Sequence, residues 1–248
     1  MRLIGLLTTY EDADWLPNTL RSLEQLDGGV IIEGAYQETI KLGKSPRSQD
    51  GTNELCRQFV LGHTNSPLYV FSEKNEESDV QQRNAGLQLI KEYYPGNDTV
   101  MMIIDGDEEY APEQIQGIRR WADWLSSNSN YLAGIIWSQV YTSTGEYVLH
   151  AFPRLFRITP GCKFINDNYL CWPEYNYEMI FSDREQERVK VLPYPLATTH
   201  HSYQISKVKF DWKSAGRVAR WGAFPWYWDQ KKDCVTRDSD IIFWKGYV

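Results

Sequence analysis

The sequence predicts an α/β protein in which a mostly parallel sheet carries helices on both faces. Three observations predict it. Apolar runs of strand length alternate with amphipathic runs of about ten residues or more, over roughly the first half of the chain. Glycine, proline and polar clusters sit at the joints between them. At 248 residues the chain has the length for one large domain or two small ones with a substantial core.

Taken in order, "RLIGLLTTY" reads as a buried strand, and "DADWLPNTLRSLEQL" follows with Leu16, Leu20, Leu23 and Leu26 at helical spacing. "GGVIIEG" is a second strand held between glycines, and "AYQETIKLGKSPRSQDGT" a polar loop. "NELCRQFVLGH" is an amphipathic helix and "PLYVFS" a third strand. "DVQQRNAGLQLIKEYY" is a helix that stops at Pro95-Gly96, and "TVMMIID" a fourth strand. "APEQIQGIRRWADWLSS" is a helix opened by Pro112. From Tyr131 the rhythm changes. "YLAGIIWSQVYTSTGEYVLHAFPRLFRI" alternates and turns at Ser143-Thr144-Gly145, which predicts antiparallel strands. The division expected is an α/β half over 1–130 and a smaller, partly antiparallel half over 131–248, the two sharing one sheet.

Composition narrows the classes. The formal net charge of −7 does not suggest a nucleic-acid protein. Cys56, Cys162, Cys171 and Cys234 are far apart without a Cys-x-x-Cys pair, which fits reduced, buried thiols. The opening "MRLIGLLTTYED" has too short an apolar run for a signal peptide, and no stretch reaches membrane-spanning length, so a cytoplasmic protein is expected. A P-loop is missing, and "DGDEEY" lacks the Asp-Gly-Thr-like run of a haloacid dehalogenase-type phosphatase.

The chemistry gathers where "VMMIID" runs into Asp105, Asp107, Glu108 and Glu109. In open α/β sheets ligands bind beyond the carboxyl ends of the strands, where these acids lie. Two carboxylates on a rigid strand end suit a divalent cation such as Mg²⁺ or Mn²⁺ that carries a diphosphate. Glu108 and Glu109 are expected on a solvated rim. The other strand ends are polar too: Thr8 to Glu11, Glu33, and "RSQDGT", where Asp50 or Thr52 is a candidate helix cap. Arg83, in "QQRNAG", begins a helix facing the same crevice.

In this order, "TTYEDADWLPNTLRSL", Glu33, "SPRSQDGT", "QQRNAGL" and "IIDGDE" resemble the nucleotide-sugar-binding half of family 2 glycosyltransferases, and "FPRLFRITPG" with "TTHHSY" is similar to a pattern in their second half. The resemblance covers about 2–125 well and 150–205 loosely. It implies a GT-A fold, a Rossmann-like sheet with a smaller antiparallel acceptor-side region. It also implies a metal-dependent glycosyltransferase that uses a nucleoside-diphosphate sugar, with UDP as the expected nucleotide, Mn²⁺ or Mg²⁺ as cofactor and inversion as the outcome. Carried over by position, Thr8, Tyr10 and Glu33 line the base and ribose pocket, joined on the donor side by Asp50 and Gly106. Arg83 lies near the base or diphosphate, Asp105 on the ribose side, and Asp107 holds the metal. The resemblance implies that His200 rather than His201 completes the metal site, since the family's His-x-Ser-aromatic pattern matches from His200; adjacent strand residues face opposite ways, so one of the two is expected to point in and the other out.

The catalytic base has no clean motif. "KFINDNYLCWPEYNYEMIFSDREQE" offers Asp167, Glu174 and Asp183; Asp167 and Glu174 are the candidates, since Trp172 and Tyr175 beside them could stack on an acceptor. The tail "SKVKFDWKSAGRVARWGAFPWYWDQKK" mixes Lys207, Lys209, Lys213, Arg217 and Arg220 with Trp212, Trp221, Trp226, Tyr227 and Trp228. The expectation favours a helix packing its tryptophans on the sheet, and the basic strip keeps a nucleic-acid acceptor open beside a glycan, lipid or protein. Two other functions remain open: a non-catalytic sugar- or nucleotide-binding protein of the same fold, and a nucleotidyltransferase.

Overall fold

A computed structural model of the chain describes residues 1–63, 68–74, 78–96, 98–142, 147–165, 169–179, 187–193, 197–203, 226–229 and 234–237. The elements run β1 (Arg2–Thr9), α1 (Leu16–Leu23), β2 (Gly29–Glu33), α2 (Gln37–Lys41), α3 (Thr52–Gly62), β3 (Tyr69–Glu73), α4 (Asp79–Tyr93), β4 (Thr99–Asp105), β5 (Glu108–Glu109), α5 (Pro112–Ser127), β6 (Ala133–Thr142) and β7 (Tyr147–Arg157). Then come β8 (Lys163–Phe164), β9 (Leu170–Trp172), a 3₁₀ turn (Pro173–Tyr175), β10 (Tyr177–Glu178), β11 (Val189–Val191), β12 (Ala197–Tyr203), β13 (Trp226–Asp229) and β14 (Cys234–Arg237). The four strands and four long helices expected from periodicity are present. The loop expected after β2 contains the short helix α2, which at 5 residues is too brief to show a helical period. Of the segment expected as a tail helix, Trp226–Asp229 forms the strand β13, which pairs antiparallel with β14 beyond it, while the rest of the segment, with its lysines and Trp221, lies outside the described residues.

Among the described residues the main sheet has the order β3-β2-β1-β4-β7-β6-β12-β5, with β11 pairing β6. Strands β1 to β4 are mutually parallel, and β6, β11 and β12 run the same way; β7 and β5 run against them. Strands from both halves of the sequence therefore share one sheet. A small antiparallel sheet, β10-β9-β8, lies apart from it.

Burial on both faces explains why the first strands read as continuous apolar runs. One face of β1 presents Ile4 and Leu6, which join Ile32, Met101, Ile103, Leu87, Ile90, Phe156 and Trp172. The other presents Leu3 and Leu7, which join Ile31, Met102 and Ile104 with Leu16 and Leu20 of α1 and Ile115 and Ile118 of α5. Helix α4 lies close on its face: a Cβ on Gly86 would stand 2.3 Å from the Leu6 side chain. Its amino end is closed by a capping box, in which the Ser78 side chain accepts from Gln81 N–H and the Gln81 side chain accepts from Ser78 N–H. Cys56, Cys162 and Cys171 are buried free thiols. No helix among the described residues is long and apolar enough to cross a membrane.

Helices α1 and α3 are tied by His63. Its Nδ1 lies 2.7 Å from the Phe59 carbonyl and its Nε2 3.0 Å from Glu24 Oε1. Two acceptors are both satisfied only when each ring nitrogen carries a proton. The Phe59 and Glu24 hydrogen bonds accordingly raise the imidazole pKa above 6.5, against the effect of burial. A raised folded-state pKa contributes stability that is full below the unfolded value and is lost as pH rises through the folded one. Urea denaturation of the wild type and His63→Ala, at about pH 5.5 and about pH 8.5, should give the larger stability gap at the lower pH. An equal gap at both pH values would contradict the clamp.

Candidate functional site

The turn that joins β4 to β5 carries the acids. Gly106 donates its N–H to the Thr8 carbonyl at 3.0 Å and accepts from the Thr19 hydroxyl at 2.9 Å. A Cβ here would stand 2.4 Å from Thr9 Oγ1 and 2.5 Å from Asp12 Oδ2, so the turn closes on β1 and its loop only with glycine. Glu108 closes the turn from the other side, accepting from Asp105 N–H at 3.1 Å. Asp105 stands at the carboxyl end of β4 with its side chain 26% exposed, whereas the Asp107 side chain is 8% exposed and that of Glu108 0%. Asp105 is therefore the carboxylate that opens to solvent. The solvated rim expected for Glu108 is corrected, since it is the most deeply buried acid of the cluster. Glu109 is the rim residue, 42% exposed.

Two guanidinium groups make this burial tolerable. Arg83 of α4 donates to Asp105 Oδ1 at 2.9 Å. Arg154 of β7 donates to Asp105 Oδ2 at 2.8 Å and to Glu108 Oε1 at 2.6 Å, and its side chain is 2% exposed. Burial would raise the Asp105 pKa, but Arg154 and Arg83 outweigh it and bring the carboxyl down to about 2. Burial pushes Glu108 above its ordinary range, further than Arg154 pulls it back.

Arg154 played no part in the sequence expectations. It reaches the acids because β7 is irregular there: Leu155 pairs Gly134 and Pro153 pairs Ile135, which leaves Arg154 as the extra residue of a β-bulge. Phe156 and Ala151 both face the same core cluster, which strict alternation over five positions forbids and one extra residue restores. Pro153, inside an otherwise central strand, was the available signal, because proline there marks a bulge. The Phe152 ring lies 5.2 Å from the guanidinium carbon and supports it with its π face.

His200 and His201 face opposite ways on β12. Strand β5 pairs His200 with Glu108, and the His201 N–H donates to the Asp107 carbonyl at 2.9 Å. This places His200 Nε2 2.9 Å from Asp107 Oδ1. Burial alone would lower the His200 pKa; Asp107, with Glu108 and Asp105 behind it, raises it. His201 was expected to point out, yet it is buried beneath Trp15, the rings stacked at 3.9 Å and 3°. Its Nε2 is 3.4 Å from Glu109 Oε2. Asp105, Glu108 and His200 each present one donor atom, all within 4.8 Å of one another, and could hold a metal ion.

The same edge of the sheet binds its polar loop through Glu33, which is fully buried. Its Oε1 accepts from Ser48 N–H at 3.0 Å and from the Ser48 hydroxyl at 2.6 Å, and its Oε2 accepts from Asn53 at 2.9 Å. Glu73, one strand over, pairs with Arg47 and Arg57. The cap position of α3 is Gly51 and not Asp50 or Thr52; Asp50, one residue earlier, accepts from Thr52 N–H and from Ala13 N–H, each at 3.0 Å, and so ties the start of α3 to the loop after β1. Tyr10 donates to the Ser45 carbonyl at 2.6 Å. Thr8, Tyr10, Glu33, Asp50, Arg83, Asp105, Gly106, Asp107 and His200 thus gather at one edge.

Glu174 does not join them. Its carboxylate accepts from Gly161 N–H, just beyond the end of β7, where Ile158 bonds to Thr99 at the start of β4. The 7 residues of β4 separate that end from Asp105, roughly 20 Å of strand. Trp172, expected as a stacking surface for an acceptor, is fully buried and donates to the Arg157 carbonyl at 2.9 Å. Tyr175 packs against the core and under Arg188. Asp167 and Asp183 lie outside the described residues.

Fold and site together define a mixed α/β protein whose large, mostly parallel sheet gathers carboxylates, arginines and a histidine at its carboxyl edge. No family model and no curated protein matches the sequence. Among solved structures the chain is similar to S. aureus TarS 1–349, with a TM-score of 0.38 and 17% identity over 56% of this chain and 36% of that one. The same fragment in complex with UDP gives 0.39, again at 17% identity and the same coverage. S. aureus TarS gives 0.47, with 13% identity over 90% of this chain and 40% of that one. The chain therefore spans well under half the length of these proteins, and the functional case rests on the site itself.

Gly106→Ala tests the turn. Its methyl group must displace Thr9 or Asp12, and overpacking of this kind costs about 1–3 kcal/mol. A lower urea midpoint with unchanged slope is the expected outcome; an unchanged midpoint would show that the turn has room.

Proposed function

We propose that the protein is a metal-dependent glycosyltransferase, moving a sugar from a nucleoside-diphosphate sugar, a UDP-sugar by preference, to an acceptor hydroxyl with inversion. The observation that carries this is the gathering of Asp105, Asp107, Glu108, Arg83, Arg154 and His200 at the carboxyl edge of the sheet, beside the polar loop held by Glu33. Such an edge is where α/β folds bind nucleotides. The order of motifs shared with family 2 glycosyltransferases supports the same reading, as does a sheet in which β7 alone runs backwards between β4 and β6.

The donor set fits the cation. Carboxylate oxygens with one imidazole suit Mn²⁺, or Mg²⁺ with fewer protein ligands. His200, Asp105 and Glu108, whose donor atoms lie within 4.8 Å of one another, would hold it together with Asp107, which stands against His200. The bound ion would act as a Lewis acid that neutralises the departing diphosphate. Thr8, Tyr10, Glu33 and Asp50 would line the base and ribose side, and Arg83 would add positive charge toward the diphosphate. Inversion forms the bond from acceptor oxygen to anomeric carbon as the bond to the diphosphate breaks. The acceptor proton passes to a carboxylate, for which Asp167 is the candidate. The acceptor is a hydroxyl of a glycan, lipid, protein or modified nucleic-acid base.

A thermal-shift panel of nucleoside diphosphates and their sugars with Mn²⁺ or Mg²⁺ tests the donor. A ligand at a hundred times its dissociation constant stabilises by about 2.7 kcal/mol. Asp107→Asn, which removes charge but little volume, should abolish turnover and the metal-dependent part of the shift while keeping the wild-type melting curve without ligand. His200→Ala should weaken metal and diphosphate binding together, and His201→Ala much less. Full turnover in Asp107→Asn, or no shift with any nucleotide, would reject the proposal.

A further inference from the structure

The acidic cluster already contains cations. Asp105 pairs with Arg83 and Arg154, Glu108 with Arg154 and Asp107 with His200, so with the carboxylates ionised and His200 neutral the group carries a single net negative charge before any metal arrives. Arg154 is the more deeply placed of the two arginines. It bridges Asp105 and Glu108, the same two carboxylates that with His200 form the candidate metal triad. A divalent ion entering this group must share those carboxylates with a buried guanidinium and leaves a net positive charge in a poorly solvated place. Like charges a few ångströms apart repel strongly there. An anionic diphosphate removes the excess.

We propose that Arg154 is a built-in counter-cation that makes metal binding conditional on an anionic ligand, so that the site takes up a divalent ion together with a diphosphate and holds the bare ion only weakly. This rests on the functional reading above and goes beyond it by assigning a role to a positioning residue. The β-bulge at Arg154 fits the role. Its backbone departs from regular pairing at the one position that aims the side chain into the acids, and Phe152 covers its outer face.

The test is binding rather than turnover. Mn²⁺ alone is titrated into the full chain and followed by the paramagnetic resonance of the free ion, then titrated again with saturating UDP. The wild type should bind Mn²⁺ at least about tenfold more tightly with UDP than without. Arg154→Gln should bind Mn²⁺ alone at least about tenfold more tightly than the wild type, with the UDP dependence correspondingly reduced. Arg154→Lys, which keeps the charge, should stay near the wild type. Circular dichroism establishes that each variant is folded. Should Arg154→Gln not fold, Glu108→Gln replaces it: leaving Arg154 one carboxylate fewer to neutralise, it should weaken uptake of Mn²⁺ alone more than uptake with UDP. Tight Mn²⁺ binding by the wild type without UDP, or no gain in a folded Arg154→Gln, would overturn the role of Arg154 and leave the glycosyltransferase proposal intact. If no variant and no wild-type sample binds Mn²⁺ even with UDP, the functional reading itself fails.

Discussion

A carboxylate such as that of Glu108 cannot be left without solvent or a partner, and nearly every unusual feature of the site follows from how this chain supplies one. Removing an ion from water costs several kcal/mol even after the protein relaxes, and a partner must be well placed to offset it. Arg154 is that partner for Glu108 and for one oxygen of Asp105, while Arg83 takes the other oxygen. The arginine can be there only because β7 lies against β4 with a bulge beside Gly134. The reversed strand, the proline in it and the buried acid are parts of one solution.

The sheet supplies the rigidity this needs. With apolar clusters on both faces, β1 and β4 are fixed along their whole lengths, and the Asp105–Glu108 turn is fastened through Gly106, which donates to the Thr8 carbonyl of β1 and accepts from the Thr19 hydroxyl of α1. The polar loop after β2 is held in a comparable way by Glu33. It is buried, yet it receives three hydrogen bonds from Ser48 and Asn53. Apolar layers place the strand ends, and satisfied polar groups then define the crevice between them.

What could be read from the sequence follows the reach of each interaction. Strands β1, β2 and β4 were legible because burial on both faces leaves uninterrupted apolar runs, and Asp105 and Asp107 because they end the clearest of these. The choice of His200 over His201 rested on the His-x-Ser-aromatic pattern of the resemblance, alternation saying only that the two face opposite ways; the structure puts His200 against Glu108 and Asp107. Glu108 was misjudged because its partner lies 46 residues away, and nothing near it in sequence distinguishes a buried acid from a solvated one. His201 was misjudged for a related reason, since Trp15 covers it from the far end of the chain. Trp172 was taken for a stacking platform because it stands near the candidate acids Asp167 and Glu174 in sequence, whereas its ring fills the core and its N–H finds the Arg157 carbonyl.

The bulge in β7 also makes residue count, and not only residue type, carry information. Because Arg154 is the surplus position between Leu155 and Pro153, losing any one residue from that stretch would return the strand to regular pairing. The chain would keep its composition and much of its hydrogen bonding, yet the remaining side chains on one side of the lesion would exchange faces. Homologous chains that share this centre should therefore conserve the spacing between the proline and the end of the strand more strictly than the identity of the apolar residues within it. Gaps in an alignment, usually tolerated in loops, would be informative here inside a strand.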